Sequence, residues 1–324
     1  MKLRFSLIVI ALNIAVVASL LLGATQVENI WRYLFNPGFD SASTNHLILW
    51  QIRIPRILVA LLIGAALGLA GAIAQSAANN PLADPAILGT SAGASLGVVI
   101  GVLLNLAEVG SVSAVLFATI GALIATALTF TWARSVGALI IIGIGTSALF
   151  SAVVGLLITA TNNPEIRSIS FWSLGSLALA TSESLLIITP VFLVCFFFAF
   201  KIAPQLDLLS LGDISVRHLG LSAKTIRLKA FLIIGLLVAV SVSTVGSISF
   251  LALAAPHIAR ILFGGKNRIL TIASSLIGAL ILLVGDTIAR SVLPPYELPI
   301  GLITSLLGAP ILILLVRKAA LTWK

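Results

Sequence analysis

Charge is so sparse along this chain that almost every interval between charged side chains is an apolar run of about 20 residues, the length an α-helix needs to cross a bilayer. The 324 residues are 60% hydrophobic and 9% charged, with a mean hydropathy of +1.20. A soluble domain of this length would carry amphipathic periods and far more surface charge, so a soluble fold is excluded. The chain reads as one all-α, polytopic membrane domain over residues 1–324.

Charges taken as span boundaries place ten helices at 5–24, 57–78, 91–104, 112–132, 138–160, 185–200, 230–249, 254–263, 270–289 and 300–316, two of them short. Lys2 and Arg4 precede the first span, and Arg317, Lys318 and Lys324 follow the last. The positive-inside rule therefore puts both ends in the cytoplasm and requires an even number of crossings. The apolar start reads as an uncleaved helix rather than a signal peptide, because its removal would leave an odd number. This threading puts 14 of the 19 basic residues inside and leaves Arg32, Arg53, Arg56, Arg167 and Arg290 outside. Positive charge at the outer face points to an acidic partner there. The alternatives for these arginines are snorkelling at the lipid interface and, for Arg290, an i,i+4 pair with Asp286.

Glycine recurs at every fourth position in Gly89, Gly93, Gly97 and Gly101, and again at Gly64 and Gly68. On a helix such a row forms a groove that admits a neighbouring backbone, either inside one bundle or between subunits. Two prolines break the chain at Asn79-Asn80-Pro81-Leu82-Ala83-Asp84-Pro85, which reads as a cytoplasmic turn. A second interruption, Ala255-Pro256-His257, is expected to shorten the eighth span, as a pathway break or as a kinked structural helix.

The longest charged stretch on the cytoplasmic side covers residues 201–229, with 205–228 as its central part. Its centre, Asp213 to Leu219, predicts about two helical turns, with Gly212 before it and Gly220 in the stop position. Such an element is either a docking helix or a solvated loop that anchors orientation. No nucleotide motif accompanies it, since Gly265-Lys266 is followed by Asn267. Any ATP-driven motor must therefore be another chain. His46, His218 and His257 are scattered, and the single Cys195 sits in an apolar span as a packing residue, so no metal site is expected.

Taken in order, Arg53-Ile-Pro-Arg56, Asn80-Pro-Leu-Ala-Asp-Pro85, Leu211-Gly212 through Leu219-Gly220, Pro256-His-Ile-Ala-Arg260, Asp286 with Arg290, Glu297-Leu-Pro-Ile-Gly301 and Gly308-Ala-Pro310 resemble the permease family of bacterial ABC importers for iron-siderophores, haem and cobalamin. The resemblance covers almost the whole chain and implies a type II importer permease of ten helices. It implies a homodimer or close heterodimer, two cytoplasmic ATPase subunits that bind ATP and Mg, and a substrate-binding protein outside. It implies no cofactor on this chain and no nucleic-acid partner. In the family, arginines matching Arg53, Arg56 and Arg290 meet carboxylates of the binding protein, and the segment matching Leu211, Gly212, Asp213, Arg217, His218, Leu219 and Gly220 enters a cleft of the ATPase.

The fifth span and the segment 171–177, with Trp172 and Gly175, would line the pathway. The gate would fall at Ser135, Val136 and Gly137. Two departures stand out: the 134–137 turn offers one hydroxyl where cobalamin permeases carry a more polar gate, and Ala252 stands where the family commonly has glycine. A proton-coupled secondary transporter is the rival reading, and it needs a titratable group near the midplane. Asp286 is the one candidate, with Arg290 a turn away.

Overall fold

The computed structural model describes residues 1–310 except positions 24, 37, 39, 41–42, 87–88, 134–135, 161–171, 295 and 307. Among the described residues run the helices α1 (Lys2–Leu21), α2 (Ile30–Phe35), α3 (Thr44–Leu47), α4 (Ile54–Ala77), α5 (Thr90–Leu103), α6 (Val112–Trp132), α7 (Val136–Ala160), α8 (Ser182–Leu209), α9 (Asp213–His218), α10 (Ala223–Val245), α11 (Leu251–Phe263) and α12 (Asn267–Ser291). A π-helical turn, Ile48–Arg53, joins α3 to α4. Seven helical spans are long and apolar enough to cross a bilayer, and the shorter apolar helices Thr90–Leu103, Leu251–Phe263 and Ile300–Pro310 bring the apolar set to ten. The remainder of the tenth expected span, with Arg317, Lys318 and Lys324, lies outside the described residues.

The ends of these helices follow from local chemistry. Hydroxyls of Ser111, Thr181 and Ser222 accept hydrogen bonds from the backbone amides of Ala114, Ser184 and Thr225, capping α6, α8 and α10. Gly246 and Gly264, at φ +74° and +85°, stop α10 and α11 in a conformation that costs a side-chain-bearing residue strain. Within the spans, Thr126, Ser241, Thr271, Ser275 and Thr287 donate to carbonyls four residues back, which meets these hydroxyls in an apolar surround.

The bundle has a centre and a rim. The spans of α4 and α10 bury 78% of their most apolar stretch and that of α12 buries 67%, whereas α1 buries 17% and α7 22%. Central helices can come this close because glycines meet backbone. A Cβ on Gly64 or Gly68 of α4 would lie 2.5 Å and 2.2 Å from the carbonyl oxygens of Gly278 and Ser274 on α12. The α5 ridge faces α6 of the same chain in the same way, with Gly93 against the Gly121 carbonyl and Gly97 against that of Phe117. Gly101 meets the Phe117 ring. Gly89 stands apart from this row, since it is the N-cap of α5 at φ +82° and packs on Thr146.

Three boundaries differ most from the sequence expectation. The second span begins at Thr44 rather than residue 57, and carries Arg53 and Arg56 inside the helix. α8 runs through Lys201 to Leu209, and α10 starts at Ala223, enclosing Arg227 and Lys229. Charge ended the expected helices, but a charged group at a helix end stays in register when it finds partners.

Pro256 also fails to interrupt anything, because α11 continues through it. Proline removes the amide that would have met the Ala252 carbonyl. Gly71 of α4 presses on that oxygen instead, so closely that a Cβ there would stand 1.7 Å away. α11 is short for a different reason: residues 246–249 run non-helically before it, packed against Trp172, Gly175 and Gly301.

The Asn79–Pro85 break is a turn, as its prolines require. Asn80 Oδ1 accepts from the Leu82 amide at 2.9 Å and Asp84 Oδ1 from the Ala86 amide at 2.7 Å.

Candidate functional site

Two clusters lie at opposite ends of α4. At its start, the last carbonyls of α1 have no intrahelical donor, and arginines supply it. Arg53 donates to the carbonyls of Leu20, Leu21 and Thr25. Arg290 donates to the Ser19 carbonyl and, at 2.6 Å, to the Ser19 hydroxyl. Gly23 leaves room for both, since a Cβ there would stand 3.0 Å from one guanidinium and 3.2 Å from the other.

Arg56 lies beside them and takes the carboxylates. Its Nε is 3.0 Å from both Asp286 oxygens, its Nη2 is 2.8 Å from Asp286 Oδ1, and its Nη1 is 2.9 Å and 3.0 Å from the two oxygens of Glu297. Arg290 completes the group with its Nε 3.6 Å from Asp286. Three guanidinium groups and two carboxylates leave one formal positive charge.

The sequence expectation of exposed cations at this face is corrected here. Arg53, Arg56 and Arg290 are 3%, 6% and 4% exposed, and Asp286 is 1% exposed. Burial follows from the internal demand for donors, both at the end of α1 and around Asp286. Glu297 is the exception, with 36% of its side chain open. It also sits in a tied segment: the Leu298 amide donates to the Ala289 carbonyl at 3.1 Å and that of Ile300 to the Gly175 carbonyl at 2.9 Å. Asp286 is engaged by two arginines and so is not itself a free carboxylate for a proton path.

At the other end of the bundle, α9 covers Asp213–His218, one residue shorter than predicted. Gly212 and Gly220 flank it at φ +87° and +75°. Val216 is its buried residue, whereas Leu211, Ile214 and Leu219 are 57%, 67% and 57% exposed. Arg217 and His218 are exposed beside them. An apolar trio at the surface among charged side chains is unusual for a loop that only anchors. Arg227 holds the helix start, with Nη1 and Nη2 at 2.9 Å and 2.8 Å from the Asp213 oxygens. That bond draws the Asp213 carboxyl below its ordinary range, with the charges of Arg227 and Arg217 adding to the effect.

The expected pathway positions fall in separate places among the described residues. Ser135 and Phe171 lie outside the described residues. Val136 begins α7, and Gly137 next to it is exposed with nothing near its Cα side. Trp172 and Gly175 lie instead in a packed junction: Trp172 is 3% exposed, and a Cβ on Gly175 would stand 2.7 Å from the Ser247 carbonyl. Sequence reasoning missed the Glu297 partnership with Arg56 and the role of Arg227, since neither is local. The clustering of acids near the outer arginines was the available signal for the first.

The model of the FecCD transport family matches residues 10–318. The chain belongs to this family. It is 35% identical over 325 aligned residues to the hemin transport system permease protein HmuU of Yersinia pestis, covering 98% of this chain and 96% of that protein. It is 34% identical over 317 residues to the vitamin B12 import system permease protein BtuC of Escherichia coli, covering 96% and 94%. A solved structure described as an inward-facing metal-chelate type ABC transporter superposes with a TM-score of 0.86 at 32% identity, covering 98% of this chain and 99% of that one. As a FecCD family member the chain is the membrane permease subunit of an ABC importer, and ATP hydrolysis belongs to a separate subunit.

Proposed function

We propose that two copies of this chain form the path of an importer for a metal chelate of the iron-siderophore, haem or cobalamin type. A binding protein delivers the cargo at the face carrying Arg56, and two ATPase subunits work at the face carrying α9. Both termini and α9 then lie in the cytoplasm. Cargo class is supported by the relatives' names, and the assignment of faces by the basic excess around α9. ATP binding closes the ATPase pair, moves α9, and switches the dimer between outward- and inward-open states. A path walled mostly by apolar groups holds its cargo weakly and can release it, which leaves tight binding to the outer protein.

The observation that carries the docking part is the charge pattern around Glu297. The cluster keeps one net positive charge, and its exposed member is an acid already seated on Arg56. A carboxylate of the binding protein reaches Arg56 by taking the place of Glu297. Glu297→Gln is therefore expected to tighten docking by up to about fivefold, equivalent to about 1 kcal/mol for a half-exposed pair. The gain should shrink in high salt. Surface plasmon resonance with the loaded binding protein checks this, and unchanged or weaker docking of the variant would place the contact elsewhere.

A further inference from the structure

We propose that Arg227 is the residue that transmits motion of α9 to α4, and through α4 to the arginine cluster at the opposite face. This rests on the reading of α9 as the ATPase contact.

The guanidinium of Arg227 joins two elements at once. Its two terminal nitrogens hold the carboxylate of Asp213, the first residue of α9, and its Nε donates at 3.1 Å to the carbonyl of Ala77, the last residue of α4. The Ala77 carbonyl lies in the terminal turn of α4, where intrahelical donors are lacking and a cation is favoured by the helix dipole. The Arg227 side chain is 13% exposed, so it is held rather than waving in solvent.

Everything else about α9 suits a lever. Gly212 and Gly220 bound it at positive φ, and a Cβ at either would meet nothing within 4 Å, so no neighbouring element packs on that side of either end. Val216 is its buried anchor. The pair with Arg227 is the second attachment, and it carries direction because a forked guanidinium fixes the carboxylate in plane. α4, by contrast, is a 24-residue rod of about 36 Å at 1.5 Å per residue. It packs against α12 through Gly64 and Gly68, and at its far end Arg56 grips Asp286 of the same α12. A push on α9 is thus delivered to the one helix that carries Arg56.

Lysine cannot replace this contact, since one ammonium does not fork onto a carboxylate while donating sideways to a carbonyl. The test uses the assembled importer, permease with ATPase and binding protein, in proteoliposomes, with radiolabelled cobalamin and haem as the cargo probes. Arg227→Lys is expected to keep the ATPase in the complex and to lower cargo moved per ATP by about tenfold, the scale of losing charge-assisted hydrogen bonds. The swap Asp213→Arg with Arg227→Asp rebuilds the pair but leaves the Ala77 carbonyl without a donor, so it should not restore coupling.

Wild-type cargo per ATP in either variant overturns the proposal. Should either variant assemble poorly, hydrogen exchange on the permease alone decides: Arg227→Lys must speed exchange in both α9 and the last turn of α4, and protection unchanged in either refutes the tie. Failure of the underlying reading looks different. In that case Ile214→Asp, a change at a 67% exposed side chain, would leave ATPase recruitment intact.

Discussion

Asp286→Ala is expected to destabilise the protein by about 3–5 kcal/mol, because it leaves buried arginine charge without its carboxylate. Arg56 would keep Glu297, but a half-exposed, screened partner replaces little of what Asp286 supplies with three contacts at 2.8–3.0 Å. Arg290 would lose its nearest carboxylate altogether while 4% exposed. Asp286→Asn should fall between, since an amide keeps one acceptor and loses the charge. Denaturant unfolding of the purified chain in detergent measures both, and a loss below about 1 kcal/mol for the alanine variant would show that the cluster is not a structural keystone.

Gly71→Val is expected to be as severe or worse, for a steric reason. The Cβ position lies 1.7 Å from the Ala252 carbonyl oxygen, which is backbone and cannot rotate away. Insertion must part α4 from α11, and it also pushes the Gly71 backbone away from a carbonyl that Pro256 leaves without its helical donor. The cost should exceed about 3 kcal/mol, above the usual range for overpacking. Gly145→Ala is the control, because α7 leaves open space there and alanine favours the helix by roughly 1 kcal/mol. Size-exclusion profiles and unfolding midpoints of the two variants should diverge. Equal behaviour would mean that α4 and α11 are not in backbone contact.

The short helix α9 was legible in sequence because its signals are local: an acid at the start, glycines on either side, basic residues at the end. The ten apolar segments were legible because hydropathy sums over one stretch of chain. What was hidden needed partners far away. Arg56 looked like a rim cation, yet its carboxylates lie 230 and 241 positions along the chain. Burial of a charge depends on such partners, and a window of sequence does not contain them. Pro256 looked like a break for the same reason, since the glycine that accommodates its orphan carbonyl belongs to another helix. Trp172 and Gly175 were expected along the pathway, and the non-helical segment after α10 and the backbone at Gly301 pack against them, contacts no local window of sequence contains.

The central claim is that this chain is a passive gate worked by soluble partners. Its most direct test is cargo uptake by proteoliposomes holding the permease and its ATPase, with binding protein added on the arginine face. Uptake should require ATP and Mg on the α9 face and should be indifferent to a protonophore. Uptake that persists without ATP, or that collapses with the proton gradient while ATP is plentiful, would contradict the account.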